Sequence, residues 1–187
     1  MVKLTRITTG GGDKGRTSLG DGTRVAKHDP RVAAFGAIDE ANSLIGIARL
    51  HCSGEADAML ARIQNDLFDL GADLCTPEGT TPRKSRLRMS ADQVTRLESE
   101  CTELNEDLPT LSSFILPGGS AAAAHLHHAR TSVRGAERLM TKLAKDEEVN
   151  EVALRYVNRL SDYLFVLARN LNDRGKGDIM WVPGKNR

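Results

Sequence analysis

The sequence predicts an all-α fold, a bundle of five helices behind a glycine-rich N-terminal arm. Three observations predict it. Apolar residues recur at three- and four-residue spacing in five separate stretches, no stretch alternates convincingly with a period of two, and turn-forming residues collect between the stretches. At 187 residues the chain suits one domain with a buried core. It divides into an arm over residues 1–28, a bundle over 29–172 and a tail over 173–187.

Each helix carries its own signals. Asp29 caps the first, Pro30 occupies its first turn, and Val32, Phe35, Ile38, Ala41, Ile45 and Ala48 follow at helical spacing. The second spans about residues 55–74, with Met59, Leu60, Ile63, Leu67 and Leu70 on one side. The stretch "TPEGTTPRKSRLR" holds two prolines and reads as a loop. Ser90 and Gln93 form a capping box for the third helix, which runs to about residue 107. An irregular connector, "LPTLSSFILPGGS", ends at Ser120, which caps a fourth, alanine-rich helix through "AAAAHLHHARTSVRGAERLMTKLAKDE". The fifth covers about residues 150–172, with Val157, Leu160, Leu164, Leu167 and Leu171 as its packing seam.

Composition excludes several functional classes. A formal net charge of +1 gives no global reason to bind nucleic acid or membrane, and no apolar run of bilayer-spanning length occurs. Cys52, Cys75 and Cys101 are odd in number and widely spaced, without a C-x-x-C pair. That argues against a disulfide framework or a zinc site and for reduced thiols. With no signal-peptide pattern at the N-terminus, a soluble cytoplasmic protein is expected.

The charge is nevertheless uneven. Residues 1–31 hold seven Lys and Arg against three Asp, and six of the seventeen glycines fall in the first 22 residues. The stretch "TTGGGDKGRTSLGDGTR" therefore raises the question of a phosphate cradle. Gly10, Gly12 and Gly15 satisfy G-x-G-x-x-G, and Gly10 to Thr17 nearly satisfies the Walker pattern, with Arg16 in the lysine position. Both motifs need a buried strand before the glycines and a helix after them. Neither flank fits, so both are rejected. What survives is plainer: glycines let backbone N–H groups approach an anion closely. A loose terminal arm is the bland alternative.

Polar residues line up on three helices. Arg130, Arg134 and Glu137 stand at i, i+4 and i+7 on the fourth, with Arg138 widening the basic patch. Asn158 and Asp162 are four apart on the fifth, close to its seam, and Asp39, Asn42, Ser43 and Gly46 form a small-residue stripe on the first. A solvated i,i+4 pair is the ordinary meaning of any one of these; three together beside a basic arm argue for a site. His125 and His128 have no carboxylate at i+3 or i+4, so they read as surface or partly buried histidines in place of a metal pair. No G-x-S-x-G, activated cysteine or histidine-centred triad is visible. If the chain is an enzyme, the reactive centre belongs to a cofactor or to the substrates.

Four blocks, "TTGGGDKGRTSLGDGTRVAKHDPRV", "AFGAIDEANSLIG", "FILPGGSAAAAHLHHARTSVRGAER" and "RYVNRLSDYLFVLAR", together resemble the PduO-type ATP:cob(I)alamin adenosyltransferases, a family of corrinoid adenosyltransferases. The resemblance implies a ferritin-like up-and-down bundle of the cobalamin adenosyltransferase type, assembled as a homotrimer with a site at each subunit interface. It implies transfer of the 5′-deoxyadenosyl group of ATP, accompanied by Mg²⁺, to the cobalt of cob(I)alamin, with release of triphosphate. A corrinoid reductase and an adenosylcobalamin-dependent enzyme are the protein partners it points to. A binding-only regulator or cofactor chaperone on the same bundle is the alternative, and steady production of adenosylcobalamin discriminates the two.

The resemblance also implies roles for single residues. Thr9, Gly10, Gly11, Gly12, Thr17 and Ser18 look like the loop that wraps ATP, and Lys27 like the phosphate-contacting lysine. Arg134, Glu137, Arg138 and Asn158 match nucleotide contacts, and Asp39 and Arg130 an intersubunit ion pair. Phe114 matches the aromatic residue that keeps the lower base of cobalamin off the cobalt, and Asp162 is similar to an acidic residue near the corrin. Two departures stand out. Gly10 replaces a common side-chain cation, a task open to Lys14 or Arg16, and Gly135 replaces a frequent second arginine. The latter costs about 1 kcal/mol of helix propensity relative to Ala.

Overall fold

The computed structural model describes residues 7–79 and 86–187. Five helices carry the fold: α1 (Pro30–Arg49), α2 (Gly54–Cys75), α3 (Ala91–Glu106), α4 (Ala121–Leu143) and α5 (Glu151–Asn170). Their starts follow the local chemistry. The Asp29 carboxylate accepts the Arg31 N–H at 2.8 Å, and Ser90 N–H donates to Gln93 Oε1 at 2.9 Å, completing the capping box. Ser120 Oγ accepts from Ala123 N–H at 3.1 Å, and Asn150 Oδ1 from Val152 N–H at 3.0 Å.

α4 lies between α1 and α5, with α2 against α1 and α3 against α5. Buried alanines recur every seven residues on α1 (Ala34, Ala41, Ala48) and on α4 (Ala122, Ala129, Ala136). Small side chains at that spacing permit a close approach of the two helices. Around them Ile38, Ile45, Leu126, Val133, Leu160, Leu164 and Leu167 complete one continuous core. Each large aliphatic side chain buried there contributes about 1.5–3 kcal/mol.

Three buried polar clusters tie the bundle ends together. Arg31 donates to Leu74 O at 2.7 Å and to Glu147 Oε2 at 2.6 and 2.9 Å. Asp73 accepts from Arg88, Met89 N–H and Asn150, while Asp66 accepts from Arg96, Gln93 and the Tyr156 hydroxyl. The pull of Arg31 on Glu147 coincides with the earlier end of the fourth helix, which stops at Leu143 instead of continuing through the acidic run.

Two regions differ from the sequence expectation. The arm contains a short antiparallel hairpin, β1 (Arg16–Ser18) with β2 (Arg24–Ala26), paired Arg16 to Ala26 and Ser18 to Arg24. Three-residue strands are too short to show a period of two. The tail is also more than an appendage: Leu116 N–H donates to Ile179 O and Trp181 N–H to Phe114 O, each at 2.8 Å, so it pairs with the connector before α4. Part of the loop expected after α2, residues 80–85, and the first six residues lie outside the described residues.

Candidate active site

The arm is built as a folded loop seated on α2. Leu19 is buried, Gly20 N–H donates to Cys75 O at 2.8 Å, and Leu19 N–H and Thr23 O close the hairpin loop, also at 2.8 Å. Preceding the hairpin, Gly12 O accepts the Gly15 N–H at 3.1 Å, and Gly15 takes a φ of +72°, a region that favours glycine. Lys27 N–H donates to Gly15 O at 2.9 Å, and its ammonium lies over Gly12, where an added Cβ would stand 3.1 Å from Nζ. Thr9, Gly10, Gly11, Gly12, Thr17, Ser18 and Lys27 thus share one solvent-facing loop and hairpin.

Of the two cations offered in place of Gly10, Arg16 is engaged, its guanidinium donating to Arg24 O at 2.6 Å. Lys14 stays exposed on the loop. Arg24, which the sequence reading treated only as charge, holds the arm together by donating to Gly11 O at 2.7 Å and Ser18 Oγ at 3.3 Å.

The second cluster spans α4 and α5. Asn158 Nδ2 donates to Glu137 Oε1 at 2.9 Å, while Arg134 and Arg138 project exposed from the same helix as Glu137. Arg130 sits deeper. Its guanidinium lies 5.9 Å from the centre of the Phe165 ring, and its Nε is buried with no hydrogen-bond partner among the described residues. Burial, then the neighbouring Arg134, pushes its pKa below the ordinary guanidinium value. This is a cation held ready for an acceptor.

Beside Arg130 opens a cavity of about 580 Å³, lined by Phe165 and the connector residues Leu111 to Ile115. Phe114 stands at it 77% exposed, its ring 6.0 Å from that of Trp181 and tilted by 57°. Beneath, His127 meets the edge of Phe165 at 6.0 Å and is nearly inaccessible. Burial and the adjacent Arg130 depress its pKa, with Asp178 opposing them.

Not every residue picked from the sequence joins these clusters. Asn158 and Asp162 are exposed, each directly beside a buried residue of the seam, Val157 and Ser161. Asp162 is turned to Arg159 at 3.2 Å and lines a groove toward α3 with Cys101, away from the cavity at Phe114. The polar stripe on α1 splits by direction. Asn42 is buried and exchanges hydrogen bonds with Gln64 of α2, Nδ2 to Gln64 O at 3.2 Å and Gln64 Nε2 to Asn42 O at 3.1 Å, whereas Asp39 is exposed. Asp39 and Arg130 make no ion pair within the chain. The site residues of the arm likewise make no hydrogen bond to α4 or α5 among the described residues. His125 stacks on His51, ring centres 5.1 Å apart and nearly parallel.

Phe165, His127 and Trp181 were missed as site residues. Phe165 sits in a run of seam residues and looks like core, and His127 looked like one member of a histidine run. The lone tryptophan in a polar tail was the available signal for Trp181.

A profile describing cobalamin adenosyltransferases matches residues 7–171. The corrinoid adenosyltransferase of Mycobacterium tuberculosis is 47% identical over 190 residues, covering 100% of this chain and 97% of the relative. The cobalamin adenosyltransferase of Cupriavidus metallidurans is 46% identical over 182 residues, covering 96% and 95%. Among solved structures, a variant PduO-type ATP:corrinoid adenosyltransferase from Lactobacillus reuteri complexed with cobalamin and ATP superposes with a TM-score of 0.86 at 35% identity, over 94% of this chain and 99% of that one. With the basic face of α4, the aromatic cavity and the glycine-rich arm all present on one five-helix bundle, the chain belongs to the cobalamin adenosyltransferase family.

Proposed function

We infer that this protein transfers the 5′-deoxyadenosyl group of ATP to the cobalt of cob(I)alamin, releasing triphosphate. The two electrons of the reduced cobalt form the Co–C bond to C5′ as the C5′–O bond to triphosphate breaks. The attacking pair comes from the metal of the substrate, so no side chain need act as nucleophile or base. The protein's contribution is to hold two large substrates in line and to stabilise charge on the departing triphosphate.

The observation that carries this reading is the juxtaposition of Arg130, whose Nε has no hydrogen-bond partner among the described residues, with a largely apolar cavity bordered by Phe114 and Phe165. A corrin face suits such a cavity, and a triphosphate suits Arg134 and Arg138 beyond it. The arm residues Thr9, Gly10, Gly11, Gly12, Thr17 and Ser18, with Lys27, clamp the phosphates through backbone N–H groups, hydroxyls and an ammonium. Glu137 and Asn158, fixed to each other, bind the nucleoside end. Asp162, exposed and ion-paired among the described residues only with Arg159 on the same helix turn, is free to face the corrin as an acidic neighbour.

Among the described residues, neither the arm nor the Asp39 carboxylate hydrogen-bonds to a side chain of α4. A homotrimer resolves this, with the arm and Asp39 of one subunit completing the α4 face of the next, and Asp39 supplying the countercharge that Arg130 lacks. Asp13 is the only carboxylate in the loop of residues 9–18, so Mg²⁺ enters on the triphosphate oxygens and is not held in a protein cage. Delivery from a corrinoid reductase and onward to an adenosylcobalamin-dependent enzyme fits a cytoplasmic protein.

Anaerobic incubation with ATP and chemically reduced cob(I)alamin tests the function. Adenosylcobalamin and triphosphate should appear in equal amounts. Tight binding of both substrates without product would reassign the protein as a carrier.

A further inference from the structure

We propose that Arg169 is a positioning residue for Phe114, acting through the tail; this rests on the function proposed above. Arg169 closes α5 and is 4% exposed. Its Nε donates to Asp178 Oδ2 at 2.8 Å and its Nη2 to Pro109 O, also at 2.8 Å. The side chains of the pair are 5% and 1% exposed, so a single carboxylate balances a single guanidinium inside the protein. Neither charge tolerates loss of the other.

The two acceptors lie on the segments that frame Phe114. Pro109 begins the connector leading to it. Asp178 begins the tail segment whose Trp181 N–H donates to Phe114 O and whose Ile179 O accepts from Leu116 N–H. Ser113 Oγ adds a third link by donating to Trp181 O at 2.7 Å. The Phe114 ring, by contrast, is mostly exposed and meets Trp181 as its aromatic neighbour. Its direction is therefore set by backbone held from Arg169, since there is no core around the ring to set it.

The chain is bent sharply to make this contact. Asp173, Arg174 and Gly175 take φ values of +53°, +50° and +83°, and two of the three carry a Cβ that disfavours that region. Such conformations persist only where surrounding contacts over-determine them. Here Arg169 O accepts from both Asn172 and Gly175 N–H, Asn172 Nδ2 donates to Asp178 Oδ1 at 3.1 Å, and Asn172 Oδ1 accepts Ser120 N–H at 3.0 Å. Gly119 passes so near Asn172 that a Cβ there would fall 2.3 Å from Oδ1. Both ends of the connector thus rest on the C-terminus of α5.

Arg169→Lys and Gly177→Ala test the assignment. Lysine keeps the charge but lacks the fork that spans Asp178 and Pro109. Gly177→Ala leaves every charge in place and sets a methyl 2.9 Å from Asn172 Oδ1 and 3.1 Å from Asn172 O, so the tail must shift against Asn172. Arg169→Lys should raise KM for cob(I)alamin about tenfold, the scale of one lost charge-assisted hydrogen bond, Gly177→Ala should raise it in the same direction, and each should leave KM for ATP within about twofold. Cob(II)alamin bound with ATP should regain lower-base coordination in its electron paramagnetic resonance spectrum. If Arg169→Lys does not fold, Gly177→Ala decides alone. Wild-type corrinoid KM and spectrum in a folded variant would overturn the assignment, as would equal rises in both KM values. A wild-type protein without turnover would overturn the function itself, and this role with it.

Discussion

Asn158 Nδ2 donates to Glu137 Oε1 at 2.9 Å, joining α5 to α4 at an exposed point where neither side chain is needed for the core. A solvated hydrogen bond of this kind contributes little to folding. Its value lies in fixing two polar groups for a ligand. Glu137→Gln and Asn158→Ala should leave the melting temperature within about 2 °C while raising KM for ATP about tenfold. Calorimetry and steady-state kinetics check both halves, and a large loss of stability with unchanged KM would make the bond structural.

Arg134 is exposed on the same face of α4. Arg134→Ala should lower kcat/KM for ATP about a hundredfold, the usual cost of removing one donor to developing charge. Its helix content by circular dichroism should match the parent, because Arg134 contributes nothing to the buried seam. Kinetics near the parent's would remove it from the site.

Among the described residues, the Asp39 carboxylate has no ion-pair partner and Arg130 Nε has no hydrogen-bond partner. Asp39→Arg and Arg130→Asp should each abolish most turnover, and the two combined should recover at least about tenfold over either alone. Strictly additive losses would separate the two residues.

His127 makes stability depend on pH. Its folded pKa lies below the ordinary imidazole value of 6.5, because burial and Arg130 disfavour the charged ring. Below that value the unfolded chain takes up a proton that the folded chain refuses, so the contribution is complete above it and is lost as pH falls through the folded pKa. Urea unfolding should show stability falling from pH 7.5 to 5.5, and His127→Gln should flatten that slope. An unchanged slope would place the titration elsewhere.

The helices were legible in the sequence because caps and apolar spacing are local. Asp29 with Pro30, Ser90 with Gln93, and Ser120 each announced a start that the structure shows. The arm's hairpin was not legible, since it is set by Leu19 and Gly20 docking on the end of α2, far along the chain. The clasp of Arg169 on Asp178 escaped for a similar reason: Asn172, Asp173, Gly175 and Gly177 mark a turn there, but not where the tail lands after it. On α1, Asn42 and Asp39 read alike in a list of polar residues. Only the position of Gln64 separates the one that holds helices together from the one left exposed on the surface.

That Asp39 and Arg130 sit on one polypeptide without meeting has a genetic consequence. If the proposed homotrimer pairs them between subunits, a chain defective at Asp39 still carries an intact Arg130, and a chain defective at Arg130 still carries an intact Asp39. Co-expressed, they should assemble hybrids in which some pockets are whole again, so that two null alleles complement one another in the same cell.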